Sequence, residues 1–301
     1  GPALQRKRAA LGRRNLARVY AHRDGVEPST SMLDRGVQQL FEHHLRFYIE
    51  TARAPRHART IIATRVDLED EQAVRTAFVR GERGAIFLAA HFGAIELPGS
   101  ILADRSGMRP VAPMEELGNA VLQRWMLRVR GDGLGLRIVP ARGAAAILAD
   151  ELSNGGIVGL VGDRNISGRG VSASLFGAPA RLPIGPGLLA VEHDARLFVA
   201  AVIREEGGRY TGYIRRVAIP ESGDRMERTR AALAGVALAF EELIAKAPEV
   251  PVQQIGAPCR RPRHDDFAVE PVIIARNGLD PPNELVTQAH AAIAGVLAPK
   301  P

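Results

Sequence analysis

Seven consecutive residues, Gly84-Ala85-Ile86-Phe87-Leu88-Ala89-Ala90, carry no polar side chain, and His91 follows at once. A strand on a half-solvated sheet alternates apolar with polar residues. A short, uniformly apolar run instead suits a strand covered on both faces. Gly156–Gly162 repeats the pattern, and runs at 109–113, 136–140 and 197–203 read as further strands. Between them lie helix-length segments at 69–80, 93–103, 117–130 and 143–152, one containing 188–192, and a long one at 224–246. The acids Asp67, Glu69, Asp70 and Glu71 suit a helix N-terminus. Glu206-Gly207-Gly208 turns the chain into one more strand at 210–217. Alternation of this kind predicts an α/β fold: a central, mainly parallel sheet flanked by helices on both faces.

The first part of the chain reads differently. Residues 4–22 predict a helix with Leu4, Leu11, Leu16, Val19 and Tyr20 on one broad side and Arg6, Lys7, Arg13, Arg14 and Arg18 on the other. Such a basic amphipathic helix either lies on an anionic membrane or packs on its own domain with a solvated basic face. A second helix is expected over 30–53, capped by Ser29, Thr30 or Ser31. The expected organisation is an N-terminal helical segment at 1–58 packed on the core, an α/β core at 59–250, and a tail at 251–301. That tail is Pro-rich and carries a final helix near 282–297.

Charge narrows the partners. The net charge is +7 and the isoelectric point about 10.2, and all but three of the 40 basic residues are arginine. Anionic lipid, a phosphorylated substrate or nucleic acid would each be attracted. Aromatic residues make up only 5%, and no helix-turn-helix or stacking platform is visible, so nucleic acid is not expected. The lone Cys259 excludes a disulfide framework and a zinc site built on several thiolates. No metal is expected: His43 and His44 are adjacent on a helix and point about 100° apart, while His193 and His264 lack a partner at ligand spacing. No apolar run approaches the roughly 18 residues of a membrane span, and no secretory signal opens the chain. Neither a nucleophile-elbow serine, a Walker loop nor a dinucleotide fingerprint occurs; Gly131-Asp132-Gly133-Leu134-Gly135 precedes a strand instead of following one.

Two stretches carry chemistry. His91-Phe92-Gly93-Ala94-Ile95-Glu96 begins where an apolar strand ends, which in α/β sheets is where ligands bind. A histidine there is placed to act as a general base, because imidazole titrates near neutrality. Glu96 is placed to hold the imidazole tautomer or to bind substrate. Backbone N–H groups near Gly93 are candidate oxyanion donors. The second stretch, Asp163-Arg164, follows the apolar run 156–162, so the same sheet edge would receive an acid and an arginine beside His91. Gly168 and Gly170 allow close backbone approach.

Together with Leu175-Phe176-Gly177-Ala178-Pro179-Ala180-Arg181-Leu182-Pro183-Ile184-Gly185-Pro186-Gly187, these stretches resemble the lysophospholipid acyltransferase superfamily. Within it, the chain is similar to the branch of the lipid A late acyltransferases and the phosphatidylinositol mannoside acyltransferases. Arg13-Arg14-Asn15-Leu16-Ala17-Arg18-Val19 resembles the opening helix of that branch. The resemblance covers roughly residues 10–245. It implies transfer of a fatty acyl chain from acyl-CoA or acyl carrier protein to a hydroxyl of a membrane lipid or glycolipid. No cofactor beyond that co-substrate is implied. His91 would be the general base, and Glu96 would fill the acidic motif position. Asp163 stands where the mannoside-acylating members pair a glutamate with the histidine. Arg164 would bind a phosphate or the oxyanion, and Arg128 or Arg130 would fill a further arginine position. The enzyme would sit peripherally on the cytoplasmic face of the cell membrane. A non-catalytic basic protein that binds lipid or nucleic acid is the competing reading; it accounts for the charge and leaves His91 and Asp163 unexplained.

Overall fold

The computed structural model describes residues 5–77, 83–165, 168 and 170–249. The tail 251–301 and its expected final helix lie outside the described residues. Two helices come first, α1 (Arg6–Asp24) and α2 (Thr30–Arg65), followed by strand β1 (Val66–Leu68) and helix α3 (Glu71–Thr76). The alternating part then runs β2 (Ala85–Ala89), α4 (Leu97–Ser106), β3 (Val111–Met114), α5 (Ala120–Arg128), β4 (Arg137–Pro140), α6 (Ala144–Ser153) and β5 (Ile157–Val161). A hairpin, β6 (Gly170–Leu175) and β7 (Ala178–Pro183), precedes α7 (Gly185–Glu192), β8 (Arg196–Arg204), β9 (Tyr210–Val217) and α8 (Arg225–Lys246).

Seven strands form one sheet in the order β1-β9-β8-β2-β5-β3-β4, with β6 and β7 paired separately. All neighbours in the large sheet are parallel except β8 and β9. The sheet is therefore mainly parallel, as the apolar runs predict. Strand alternation divides the core between its two faces. Ile86, Leu88, Leu197 and Val199 join a cluster with Leu148, Ala190, Leu233 and Phe240 of α6, α7 and α8. Ala85, Phe87, Phe198 and Ala200 face the other way, toward Val74 of α3 and Leu102 of α4. There Phe87 stacks on Phe198 with ring centroids 5.0 Å apart. At this core, α8 starts in a capping box: Asp224 accepts from the Glu227 N–H at 2.8 Å, and Glu227 accepts from the Asp224 N–H at 2.9 Å.

Three sequence expectations are corrected. The second helix does not stop at 53 but runs 36 residues to Arg65, past Pro55. Proline costs the helix one backbone bond, yet Ala58 and Ile62 continue the buried stripe from Ala54 at four-residue spacing beyond it. Tertiary packing outweighs the local penalty, and α2 continues through residue 58. Around Pro98, the expected helix 93–103 begins only at Leu97, which leaves Pro98 in the first turn, where its missing N–H costs nothing. The β6–β7 hairpin has no counterpart in the reading of the alternating pattern. Its two-residue turn is Phe176-Gly177, both with positive φ (52° and 69°). Hairpin turns of this type usually carry Asn or Asp before the glycine, so phenylalanine hides the signal. Phe176 holds its unusual backbone because its ring is buried and its N–H donates to Glu241 of α8.

The apolar side of α1 is not free for a membrane. Leu16, Val19 and Tyr20 are each 2% exposed, packed on the protein's own core. Tyr20 donates from its hydroxyl to Glu249 at 2.5 Å, and burial, ahead of that carboxylate, pushes its phenol well above the usual range. Of the two expectations for this helix, packing on its own domain is the one realised.

Candidate active site

Strand register brings the two chemical stretches together. β2 and β5 are parallel neighbours with Ala89 opposite Val161, and the Gly162 N–H donates to the Ala89 carbonyl at 2.8 Å. Two residues further on each strand, His91 and Asp163 leave the same carboxyl edge side by side. The imidazole Nδ1 lies 2.8 Å from Asp163 Oδ1, and the His91 backbone N–H donates to Asp163 Oδ2 at 3.1 Å. The aspartate side chain is 6% exposed, whereas the imidazole is 30% exposed. A buried carboxylate accepting from Nδ1–H fixes the tautomer with the lone pair on Nε2. That nitrogen is not engaged by Asp163. Gly162 makes the approach possible, since a Cβ there would lie 2.5 Å from Leu88 Cδ1.

Glu96 forms no hydrogen bond or ion pair with His91. It stands at the N-cap position of α4 without a side-chain capping bond and meets Arg130, which donates from Nε at 3.2 and 3.1 Å to the two carboxylate oxygens and from Nη2 at 2.7 Å to Oε1. Burial disfavours the charge on Arg130, but the carboxylate outweighs it and leaves the guanidinium pKa above its usual value. Arg130 lies in a π-helical turn, Val129–Gly133, that continues α5. Arg128, its alternative from the sequence, ends α5 with an exposed side chain. The acid of the motif therefore carries an arginine, and the acid from the second stretch orients the histidine. Removing the cation by Arg130→Ala strands a nearly buried carboxylate. The expected loss is roughly 2 kcal/mol in urea denaturation, less than the 3–5 kcal/mol of a fully buried pair, because Arg130 keeps about a quarter of its side chain exposed.

Arg164 is only 9% exposed and makes no hydrogen bond or ion pair with any described residue. Gly93 has φ +70°, and a Cβ on it would meet the Val202 carbonyl oxygen at 2.1 Å. The glycine is demanded by contact with β8, where Ala94 N–H donates to that same oxygen at 2.7 Å. Gly170 is likewise accounted for by a protein neighbour, the Asn165 side chain. Beside Glu96 runs a mostly apolar crevice between α2 and the 94–97 turn, lined among others by Phe47, Thr51, Ala54 and Leu97, with Glu50 and Tyr210 as further polar lining. Glu50 accepts from Tyr210 at 3.1 Å and is paired bidentately with Arg204. Burial, then the Glu50 carboxylate, raises the Tyr210 phenol to about 12. The contribution of α2 to this crevice escapes sequence reading, because its lining residues carry no motif. Their only signal is small or β-branched residues at 51, 54 and 58. Among the described residues no group of three His, Cys, Asp or Glu side chains is arranged to hold a metal ion, and no helix is long and apolar enough to cross a membrane.

A doubly covered, mainly parallel sheet with an imidazole–carboxylate pair at its carboxyl edge defines an α/β protein with that pair at the strand ends. Its lineage is more specific. The sequence profile of the bacterial lipid A biosynthesis acyltransferase family matches residues 3–250, and the chain belongs to that family. It is similar to a phosphatidylinositol mannoside acyltransferase of Mycolicibacterium smegmatis, 28% identical over 190 residues, covering 62% of this chain and 60% of the relative. A Mycobacterium tuberculosis protein of the same description is also 28% identical, over 194 residues, covering 62% of this chain and 58% of its own length. The matched stretch thus spans about three-fifths of these relatives.

Proposed function

We propose that this protein is an O-acyltransferase that moves a fatty acyl chain from a thioester, acyl-CoA or acyl carrier protein, to a hydroxyl of a membrane glycolipid. A phosphatidylinositol mannoside or a lipid A precursor is the acceptor class that the relatives and the family suggest. The observation that carries the reading is the His91 Nδ1–Asp163 Oδ1 contact of 2.8 Å at the carboxyl edge of the sheet.

A hydroxyl is a weak nucleophile at neutral pH. His91 Nε2 takes its proton as the oxygen attacks the thioester carbonyl, and Asp163 stabilises the imidazolium that forms. The C–O bond forms, the tetrahedral oxyanion collapses, the C–S bond breaks, and the leaving thiolate takes the proton back from His91. No covalent enzyme intermediate is needed, because the thioester is already activated. Arg164 supplies positive charge to the oxyanion or to a substrate phosphate. Arg164 is 9% exposed as a residue and pairs with no carboxylate among the described residues, so an anionic ligand is the partner that would neutralise its charge. Glu96 and Arg130 hold the start of α4 against the turn after α5 and so brace the wall of the site. The enzyme works peripherally on the cytoplasmic membrane face, where acceptor and thioester meet.

The test is stoichiometry. Purified protein with isotopically labelled acyl thioester and a glycolipid fraction is expected to release one free thiol for each ester found on the glycolipid by mass spectrometry. Absence of a labelled ester from every donor and acceptor pair would reject the activity.

A further inference from the structure

Five of the seven large apolar side chains exposed among the described residues lie on α5, on α2 or at the end of β5: Val121 and Leu127, Leu45 and Ile49, and Val161. Helix α5 concentrates the feature. It is strongly amphipathic, yet none of its residues is buried, and it contains no acid. Its inner side, with Trp125, leans on the cluster of Ala54, Val129 and Leu136. Its outer side consists of Ala120, Val121, Arg124, Leu127 and Arg128, all exposed. An outward face of aliphatic residues alternating with arginines is costly in water and matches a layer that is greasy inside and anionic at its surface.

The placement fits the site. β3 is parallel to β5 and ends at the same sheet edge, α5 follows it after a connection of five residues, and the exposed Val161 ends β5 on that edge, two residues before Asp163. At its far end, α5 passes into the turn that holds Arg130. On that turn Gly133 packs against Pro55 of α2, flanked by the exposed Arg53 and Arg56. We infer that the outer face of α5, flanked by the arginines of α2, is the surface that docks this protein on an anionic lipid bilayer. The role expected from the sequence for α1 passes to α5, because α1 spends its apolar side on the core. The inference rests on a lipid acceptor as proposed above, and commits to a bilayer because Arg124 and Arg128 have hydrophobic side chains, not acids, between them.

Trp125, the only tryptophan in the chain, lies on the inner side of α5, so binding is read by vesicle co-sedimentation. Vesicles of equimolar phosphatidylglycerol and phosphatidylcholine should carry the protein into the pellet, while phosphatidylcholine alone should carry little. A Val121→Glu/Leu127→Glu double variant should bind the mixed vesicles at least about tenfold more weakly, having lost two side chains that enter the lipid. The separate Arg124→Glu variant should also bind more weakly, with the deficit removed at high salt as wild-type binding falls. Unchanged far-ultraviolet circular dichroism checks the fold of each variant. Turnover of a water-soluble short-chain acceptor, run in parallel, separates the two readings. Loss of vesicle binding with turnover kept supports the docking face. Wild-type vesicle affinity in both variants overturns it, even when turnover is intact, and so does weaker transfer from an acidic carrier protein alone, which would make α5 a protein-docking surface. Wild-type protein that binds vesicles but transfers nothing counts against the acyltransferase reading and leaves α5 as the lipid contact.

Discussion

The His91→Ala protein is expected to transfer acyl groups about 10²–10⁴-fold more slowly than the wild type, the usual worth of a positioned general base. The effect should fall on kcat, since a general base acts on the proton that moves in the transition state and adds little to ground-state binding. Stability should change little: the ring is 30% exposed, and its removal releases one hydrogen bond to Asp163. The aspartate keeps the bond from the residue-91 backbone N–H, so its buried carboxylate is not orphaned. Single-turnover rates with saturating thioester, alongside a urea midpoint, separate the chemical step from folding. A variant that retains more than half the wild-type rate would remove His91 from the mechanism.

Gly93→Ala is expected to lose about 4 kcal/mol of folding stability, from left-handed strain in a non-glycine residue and a collision that cannot be absorbed by a rotamer. The neighbour is backbone: the Val202 carbonyl, 2.1 Å from where the Cβ would sit, which already accepts the Ala94 N–H at 2.7 Å. Either the 91–96 loop lifts off β8 or the sheet edge distorts. Both move His91, two residues away, so activity should fall with stability. Denaturant unfolding measures the first and transfer rate the second. Wild-type stability in Gly93→Ala would contradict the close approach.

The middle of the sheet is legible because β2 and β5 are short and wholly apolar and β8 is apolar between its terminal arginines, and the histidine because it interrupts such a run at its end; β1, with Asp67 inside it, is not. The same logic reached Asp163 through the matching run on β5. Other parts were written in contacts distant along the chain. Nothing near Glu96 marks Arg130 as its partner, 34 residues away, until a π-helical turn aims the guanidinium back. Pro55 conceals the length of α2, because an interior proline reads as a stop although Ala58 and Ile62 carry the buried stripe beyond it. Phe176-Gly177 conceals a hairpin, because the αL position is filled by a residue held from outside by Glu241. In α1, Leu16, Val19 and Tyr20 form an apolar side as the periodicity predicts, but periodicity reports that a face is apolar without saying what covers it.

Nitrogen-15 NMR of the His91 ring in the intact protein tests the dyad most directly. In the uncharged ring the proton is expected on Nδ1, shared with Asp163, with Nε2 bare, and Asp163→Asn should disturb that preference and slow transfer together. Protonation at Nε2 with a bare Nδ1 would turn the basic nitrogen toward the aspartate and contradict proton abstraction by His91.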